Sequence, residues 1–186
     1  MFAEQVSHHP PISYLYIEGP QNSYSYHSYS TFGVKAYINS INLEVGGIKK
    51  IHFKDGTTIS FNNTHDTFGN TLIGTCHHMM LGNIVFEDDK NGLTGYLNIG
   101  HVKGKPTDYF KGYIQDADKD VVSENIYGTY MGYFDADGER LFDIRNLQVQ
   151  EVIPLPTGSK RPVYLESDSR NRLDIQELEK DNIELA

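Results

Sequence analysis

Two adjacent histidines, His8 and His9, are followed directly by two adjacent prolines, Pro10 and Pro11. A proline has a fixed φ angle and no N–H, and it favours an extended conformation in the residue before it. The prolines therefore predict a stiff, extended segment beside the histidines. In a regular strand the two imidazole rings would point to opposite faces of the sheet. Both rings can bind one ligand only if the chain bends there, at a bulge or at the end of a strand.

A histidine pair can bind a metal, take part in catalysis or hold an anion. A metal site needs further ligands, and this sequence has no HExxH or CxxC spacing. The side chains that could supply those ligands are His77, His78, His101, Asp66, Asp88 and Asp89. A protonated imidazole donates hydrogen bonds from both ring nitrogens, which suits a phosphate. The residues alone leave three interpretations open: an anion site, a metal site and a surface turn without a ligand.

The segment around the histidines, residues 4–11, reads EQVSHHPP. All eight letters match the fingerprint of the oxysterol-binding-protein-related lipid-transfer proteins, and the chain resembles that family. The family pattern continues with a small residue and then Ala, so Tyr14 in Ile12-Ser13-Tyr14 is a departure. Residues 125–130 resemble the family's Gly-x-Trp strand, with Tyr130 in place of Trp. Residues 168–186 resemble the segment that leads into the family's late helix.

The resemblance implies a large antiparallel β-barrel that holds one lipid, and a transfer activity without enzymatic chemistry. The protein would exchange a sterol, or another lipid, for phosphatidylinositol 4-phosphate between membranes. His8 and His9 would grip the inositol phosphate at the tunnel mouth. No cofactor is expected. The expected partners are these lipids and a transient, peripheral contact with intracellular membranes from the cytoplasm.

Alternation of apolar and polar residues dominates the first two-thirds of the chain and predicts strands. Turn pairs at Gly46-Gly47, Asp55-Gly56, Asn91-Gly92 and Asp137-Gly138 predict hairpins. Residues 71–87 suggest a strand pair that turns near Gly82, and residues 125–134 suggest one further strand. The expected fold class is mainly β: a partial antiparallel β-barrel whose strands pair in sequence order. A short C-terminal helix is expected to begin near Asp174 and to continue without a stop signal.

Two sets of side chains on the predicted strands have several interpretations. The tyrosines of residues 23–30 alternate and are expected on one face. Together with Tyr14, Tyr16 and Tyr37 they could line a lipid tunnel, face solvent or lie in the core. His77 and His78 are expected on opposite faces of their strand. Lys49-Lys50 and residues 103–105 are interpreted as solvated hairpin charges.

Length and charge limit the function classes. With 186 residues the chain is long enough for one domain with a sizeable core. We expect one partial lipid-binding domain over residues 1–186, with strands over 1–150 and a C-terminal extension over 151–186. A net charge of −9 argues against nucleic-acid binding. Cys76 is the single cysteine, which excludes an intrachain disulfide and favours a reducing compartment. The longest mostly apolar run, residues 79–86, is too short to span a bilayer.

The family comparison predicts that the chain matches only the later part of a family domain. The amino-terminal lid, the early helices, the first strands and the basic residues of the late helix are expected to be missing. We therefore expect poor lipid transfer by this chain alone. Two other functions stay open: a metal-dependent β-barrel enzyme that uses His8, His9 and His77 or His78, and an inactive interaction module. Bound metal would favour the enzyme, whereas lipid purified with the protein would favour lipid binding.

Overall fold

The structure is a computed structural model that describes residues 1–100, 102–148 and 173–182. Residues 1–147 form one compact unit, and residues 148–186 form a second. The predictions made for His101 and for residues 151–172 and 183–186 lie outside the described residues. Within the described part of the chain, thirteen strands form one antiparallel sheet. No described helix is long and apolar enough to cross a membrane.

The strands are β1 (Phe2–Ser7), β2 (Ile12–Glu18), β3 (Tyr24–Ala36), β4 (Ser40–Gly46), β5 (Ile48–Phe53), β6 (Thr58–Asn62), β7 (His65–Gly69), β8 (His77–Asp88), β9 (Leu93–Ile99), β10 (Tyr109–Gln115), β11 (Val121–Thr129), β12 (Tyr133–Ala136) and β13 (Glu139–Asp143). Short 3-10 helices cover Pro20–Asn22 and Ile144–Asn146. The α-helix α1 covers Leu173–Glu179.

The prediction of a mainly β, partial barrel is confirmed. Every strand pair is antiparallel, and among the described strands β1 and β13 are the two ends of the sheet, so it stays open. The Asp55-Gly56, Asn91-Gly92 and Asp137-Gly138 turns each connect two strands that pair with each other. Consecutive strands therefore pair as neighbours at these three turns, as the turn residues predict.

The predicted hairpin at Gly46-Gly47 is wrong. β4 and β5 do not pair with each other but follow one another along β3, with Thr31 opposite Gly46 and Ser28 opposite Lys49. They are two halves of one long strand, interrupted where Gly47 adopts a φ of 102°. β6 and β7 form a second broken strand, which pairs with β5 and β4 on one side and with β8 on the other. With these breaks counted, the sheet follows sequence order, as predicted.

Two other strand boundaries differ from the predictions. β8 runs unbroken through Gly82, where the sequence suggested a turn, and this glycine adopts a positive φ of 125° within the strand. Residues 125–134 are two paired strands, β11 and β12, and not one. A tight turn separates them, in which the Gly132 N–H donates to the Thr129 carbonyl over 3.0 Å. The strand β10 had no clear signal in the sequence.

Two asparagines bridge the line where the strands are interrupted. The Asn63 side chain donates to the carbonyls of Gly46 and Gly47 over 3.0 and 3.3 Å. The Asn62 side chain accepts from the Val85 N–H over 2.7 Å and donates to the Asn83 carbonyl over 2.8 Å. Because an unpaired backbone group is costly inside a sheet, these side chains take the place of missing ladder bonds. We call this line, from Gly46 through Asn63 and Asn62 to Asn83, the crease.

The two faces of the sheet differ in polarity, because strand residues that pair directly share a face. One face, which we call the inner face, carries a small buried cluster of Ile99, Phe110 and Ile126. Partly buried apolar side chains pack against it, namely Ile84, Leu97, Ile114, Tyr130, Phe134 and Ala136. The opposite, outer face carries mainly polar side chains, such as those of Lys50 and His52. The inner face is therefore an apolar surface with little of its area fully buried.

The helix α1 begins near the predicted position and is short, with seven residues. It ends at Glu179, whereas the sequence suggested that it continues. Asp181 adopts a left-handed φ of 59°, and the Asn182 N–H donates to the Glu177 carbonyl over 2.9 Å. This hydrogen-bond pattern terminates helices, usually with glycine at the left-handed position. An aspartate at that position is a weaker stop signal than a glycine, which explains why the end of the helix was not predicted from the sequence.

The crease provides a stability test at Gly47. A Cβ atom at Gly47 would lie 2.1 Å from the Tyr29 carbonyl oxygen, whereas a Cβ at Gly56 would have no atom within 4 Å. Both glycines have positive φ, so Gly56→Ala measures the conformational cost alone, about 1–2 kcal/mol. We expect Gly47→Ala to lower the free energy of unfolding by at least about 1 kcal/mol more than Gly56→Ala, in urea denaturation. Equal losses would show that the crease has room for a side chain.

Candidate functional site

The two histidines lie in the tight turn that connects β1 and β2. β1 ends at Ser7 and β2 begins at Ile12, and the pairing shifts register between Gln5 and Ser7. The segment is a turn with a cis His9–Pro10 peptide bond, not the extended segment that the prolines suggested. The rings of His8 and His9 lie together, with centroids 4.5 Å apart and planes tilted by 48°. Both side chains are exposed, so a ligand can reach both.

The second histidine pair has a different geometry. His77 and His78 are consecutive residues of β8, opposite Gly69 and Phe68, and therefore lie on opposite faces as predicted. His78 forms an ion pair with Asp66 over 2.8 Å and stacks on Phe68 with centroids 4.7 Å apart. In the described ranges, no three His, Cys, Asp or Glu side chains are grouped so that they could hold a metal ion.

The inner face contains an open apolar cavity of about 390 Å³. Its wall consists of residues of β6 and of β8 to β12, which are neighbours in the sheet. The apolar residues that line it include Ile59, Phe86, Leu97, Ile114, Ile126 and Phe134. An open pocket with such a lining suits the hydrocarbon part of a ligand and offers it few polar partners.

A second open cavity of the inner face, about 530 Å³ in volume, is more polar. Its lining includes Leu15, Tyr26, Ser28, Ser30 and Lys49. Lys49 is partly buried, and its ammonium lies 5.7 Å from the centroid of the Phe61 ring. Burial lowers the pKa of Lys49 below the usual lysine value.

The interpretation of Lys49-Lys50 as two solvated hairpin charges is therefore wrong for Lys49. Lys50 is exposed, but Lys49 lies on the inner face with Ile51 and Phe53, since alternate residues of a strand share a face. That alternation was the signal in the sequence. The assumed hairpin at Gly46-Gly47 hid it, because a charged pair next to a turn is normally solvated.

The tyrosines divide between the two faces. Tyr24 and Tyr26 lie on the inner face with Ser28, whereas Tyr29 lies on the outer face, because β3 pairs with β2 without a bulge. The expectation that the tyrosines of residues 23–30 share one face is wrong for Tyr29. On the outer face, Tyr29 is directly opposite Tyr14, whose hydroxyl hydrogen-bonds His27 Nδ1 over 2.9 Å.

The outer-face aromatic residues continue across neighbouring strands. Tyr16 packs against His27 with ring centroids 4.8 Å apart, and its hydroxyl donates to Glu18 over 2.8 Å. This hydrogen bond raises the pKa of Tyr16. His27 contacts His52 edge-on at 5.3 Å. These contacts join β2, β3 and β5 on the outer face. Tyr24 and Tyr26, in contrast, lie on the inner face of β3, where a ligand can touch them.

Two loops at the same end of the sheet as the histidine turn are joined by Asn39. Its side-chain oxygen accepts from the N–H groups of Leu72 and Ile73, each over 2.9 Å, and its amide donates to the Ile73 carbonyl over 3.1 Å. Ile38, Leu72 and Ile73 are strongly exposed, at 90%, 76% and 78%. We call residues 37–40 and 70–76 together the apolar tip. It contains no charged residue.

Comparison with known proteins agrees with the resemblance seen in the sequence. The family model described as oxysterol-binding protein matches residues 1–151. Oxysterol-binding protein 9 of Dictyostelium discoideum is 27% identical over 210 residues, which cover 100% of this chain and 48% of that protein. Oxysterol-binding protein-related protein 1 of Mus musculus is 29% identical over 133 residues, which cover 70% of this chain and 14% of that protein.

Solved structures share the fold. The Osh3 ORD from Saccharomyces cerevisiae in complex with PI(4)P matches 98% of this chain and 53% of its own chain, with a TM-score of 0.65 and 18% identity. The Osh1 ORD domain in complex with ergosterol matches 99% and 52%, with a TM-score of 0.66 and 16% identity. The chain thus spans about half of the first relative and of these domains.

Proposed function

Since the chain belongs to the oxysterol-binding protein family, we propose that it binds a lipid on the inner face of its sheet and takes part in moving that lipid between membranes. The observation that carries this proposal is the open apolar inner face with its cavity of about 390 Å³. Burial of apolar lipid surface against this face supplies roughly 25 cal/mol per Å². Such binding and release make and break no covalent bond.

We propose that the ligands are a sterol and phosphatidylinositol 4-phosphate. Structural relatives were solved with PI(4)P, ergosterol and cholesterol, which supports this choice. His8 and His9 would bind the inositol phosphate. Their rings lie together in an exposed turn, where two imidazoles can donate charge-assisted hydrogen bonds to one phosphate. A sterol has no phosphate and would rely on the apolar wall.

The first test replaces both histidines. We expect His8→Ala/His9→Ala to weaken binding of dioctanoyl phosphatidylinositol 4-phosphate at least about tenfold, since two hydrogen bonds to a charged group are lost. Binding of the fluorescent sterol dehydroergosterol should stay within about twofold. Calorimetry and sterol fluorescence measure the two affinities on the full chain.

The matched control for this test is the other adjacent pair, His77→Ala/His78→Ala. It removes the same side chains from a place where they lie on opposite faces. We expect it to leave phosphoinositide affinity within about threefold. Unchanged phosphoinositide binding by His8→Ala/His9→Ala would refute the assignment, and equal loss of both ligands would indicate a folding defect.

We further propose that the apolar tip makes the peripheral membrane contact that a lipid-transfer cycle requires. Its exposed Ile38, Leu72 and Ile73 could enter the interfacial region of a bilayer. Backbone groups there must find partners inside the protein, because the lipid offers few. Asn39 provides those partners for both N–H groups and one carbonyl of the Leu72-Ile73 segment. The lack of acidic residues in the tip avoids repulsion from anionic lipids, although the chain carries a net charge of −9.

A single tryptophan tests the membrane contact, because the chain contains none. We expect the fluorescence of Leu72→Trp to shift to the blue when vesicles of phosphatidylcholine and phosphatidylserine are added, since the indole enters an apolar region. The control is Val122→Trp, which places the reporter on an exposed residue at the opposite end of the sheet, with 54% exposure in the native chain. A shift in both variants, or in neither, would contradict docking through the apolar tip.

A further inference from the structure

Lys49 places a positive charge in the middle of an otherwise uncharged row of the inner face. The row crosses the sheet through residues that are directly opposite each other on successive strands. Its members are Ala3, Leu15, Ser28, Lys49, Phe61, Phe86, Gly95 and Ile114. An apolar row of this kind stabilises a hydrocarbon ligand, and a lysine within it contributes nothing to that role.

The Lys49 ammonium has no acidic partner among the described residues. It makes no ion pair there, and its one assigned contact is with the Phe61 ring. Glu4 also lines the same cavity, but it forms no ion pair with Lys49. A partly desolvated cation without a counter-ion costs free energy, and the lowered pKa of Lys49 is one consequence of that burial. An anion that enters the cavity would remove this cost.

The surroundings of Lys49 favour an acidic or strongly hydrogen-bonding group. The cavity is also lined by the hydroxyl-bearing residues Ser13, Tyr26, Ser28 and Ser30. Hydroxyls and an ammonium together can donate several hydrogen bonds to one set of phosphate oxygens. The open volume of about 530 Å³ is sufficient for a head group.

We propose that Lys49 binds the acidic group of an anionic lipid held on the inner face. This inference rests on the proposed function and deepens it, since it adds a second polar contact to that of the histidine turn. Lys49 lies opposite Ser28 of β3. The histidine turn ends at Ile12, which lies opposite Thr31 of β3, three residues from Ser28. Three residues of a strand span roughly 10 Å. The two contacts are therefore separate and can grip different groups of one lipid.

The experiment uses dioctanoyl phosphatidylinositol, which carries a phosphodiester but no 4-phosphate for the histidines. We expect Lys49→Met to lower its affinity at least about tenfold in calorimetry, because a charge-assisted hydrogen bond is lost. Dehydroergosterol affinity should stay within about twofold, and Lys49→Arg, which keeps the charge, should bind phosphatidylinositol better than Lys49→Met. The matched control is Lys50→Met, the neighbouring lysine on the outer face, which should leave both affinities unchanged.

A second measurement avoids the risk that a variant fails to fold. In the wild-type chain, an NMR titration of the Lys49 side chain should show its pKa rise when phosphatidylinositol binds, since a nearby anion favours the charged ammonium. Dehydroergosterol should cause no such rise, and inorganic phosphate, which lacks an apolar body, should not bind at the same concentration.

The outcomes separate the two proposals. Unchanged phosphatidylinositol affinity in Lys49→Met, or a Lys49 pKa that does not rise with bound phosphatidylinositol, overturns the role of Lys49 and leaves lipid binding intact. A wild-type chain that binds neither phosphatidylinositol nor sterol overturns both proposals. Loss of both ligands in Lys49→Met, combined with no pKa rise in the wild type, shows that Lys49 only supports the fold.

Discussion

Backbone hydrogen bonding constrains this sheet more than any other interaction, because each strand must pair with neighbours on both sides except at the two ends. β3 and β8 are long and unbroken. The two strands between them are each interrupted once, one into β4 and β5 and the other into β6 and β7. An interruption in the interior of a sheet would leave N–H and C=O groups without partners. The crease resolves this conflict with side chains: Asn62 and Asn63 bond to the backbone where the ladder is broken. The sheet therefore stays continuous across its thirteen strands.

Strand alternation then assigns each side chain to one face of the sheet. Residues that are neighbours in the sequence can therefore have different roles. Neighbours in the sequence end up in opposite environments: Lys49 is partly buried on the inner face while Lys50 is exposed on the outer face. His77 and His78 separate in the same way, which keeps them from acting on one ligand. His8 and His9 escape this rule because they lie in a turn, where alternation does not apply. Two adjacent side chains can converge on one group only where a strand ends or is bent by a bulge.

Much of the fold could be predicted from local signals. The residues of the Asp55-Gly56 and Asn91-Gly92 turns readily adopt the backbone angles that a hairpin requires, so these turns can be predicted from two residues. The alternating segments between such turns are strands. Gly46-Gly47 carries the same letters as a hairpin, but whether a glycine pair reverses the chain or only kinks it depends on the register with β3, which is distant in sequence. Likewise, the strand continues through Gly82 because residues on both sides of it pair with β7 and β9. Tertiary pairing decided both positions.

The candidate site shows the same division between local and distant information. The EQVSHHPP segment indicated the site because its residues are consecutive, and the turn does bring both rings together. Lys49 could not be recognised from its neighbours alone. Its environment is made by β3 and β6, through Ser28 and Phe61, and requires the pairing to be known. Sites built from one segment are visible in a sequence, whereas sites built across strands become visible only in the fold.

An acidic chain can still recognise an anionic lipid, because the relevant charge is local. The net charge of −9 acts at long range, where salt screens it within about 8 Å at physiological ionic strength. At contact distance, the attraction between an anion and a cation within an apolar wall is stronger than in water, because the effective dielectric constant there is lower. An apolar surface discriminates little between hydrocarbon bodies, so selectivity among lipids has to come from polar groups within or beside it. In the proposals made above those groups are the histidine turn and Lys49, and a lipid that pairs with both would gain affinity that a neutral lipid of equal apolar area would not.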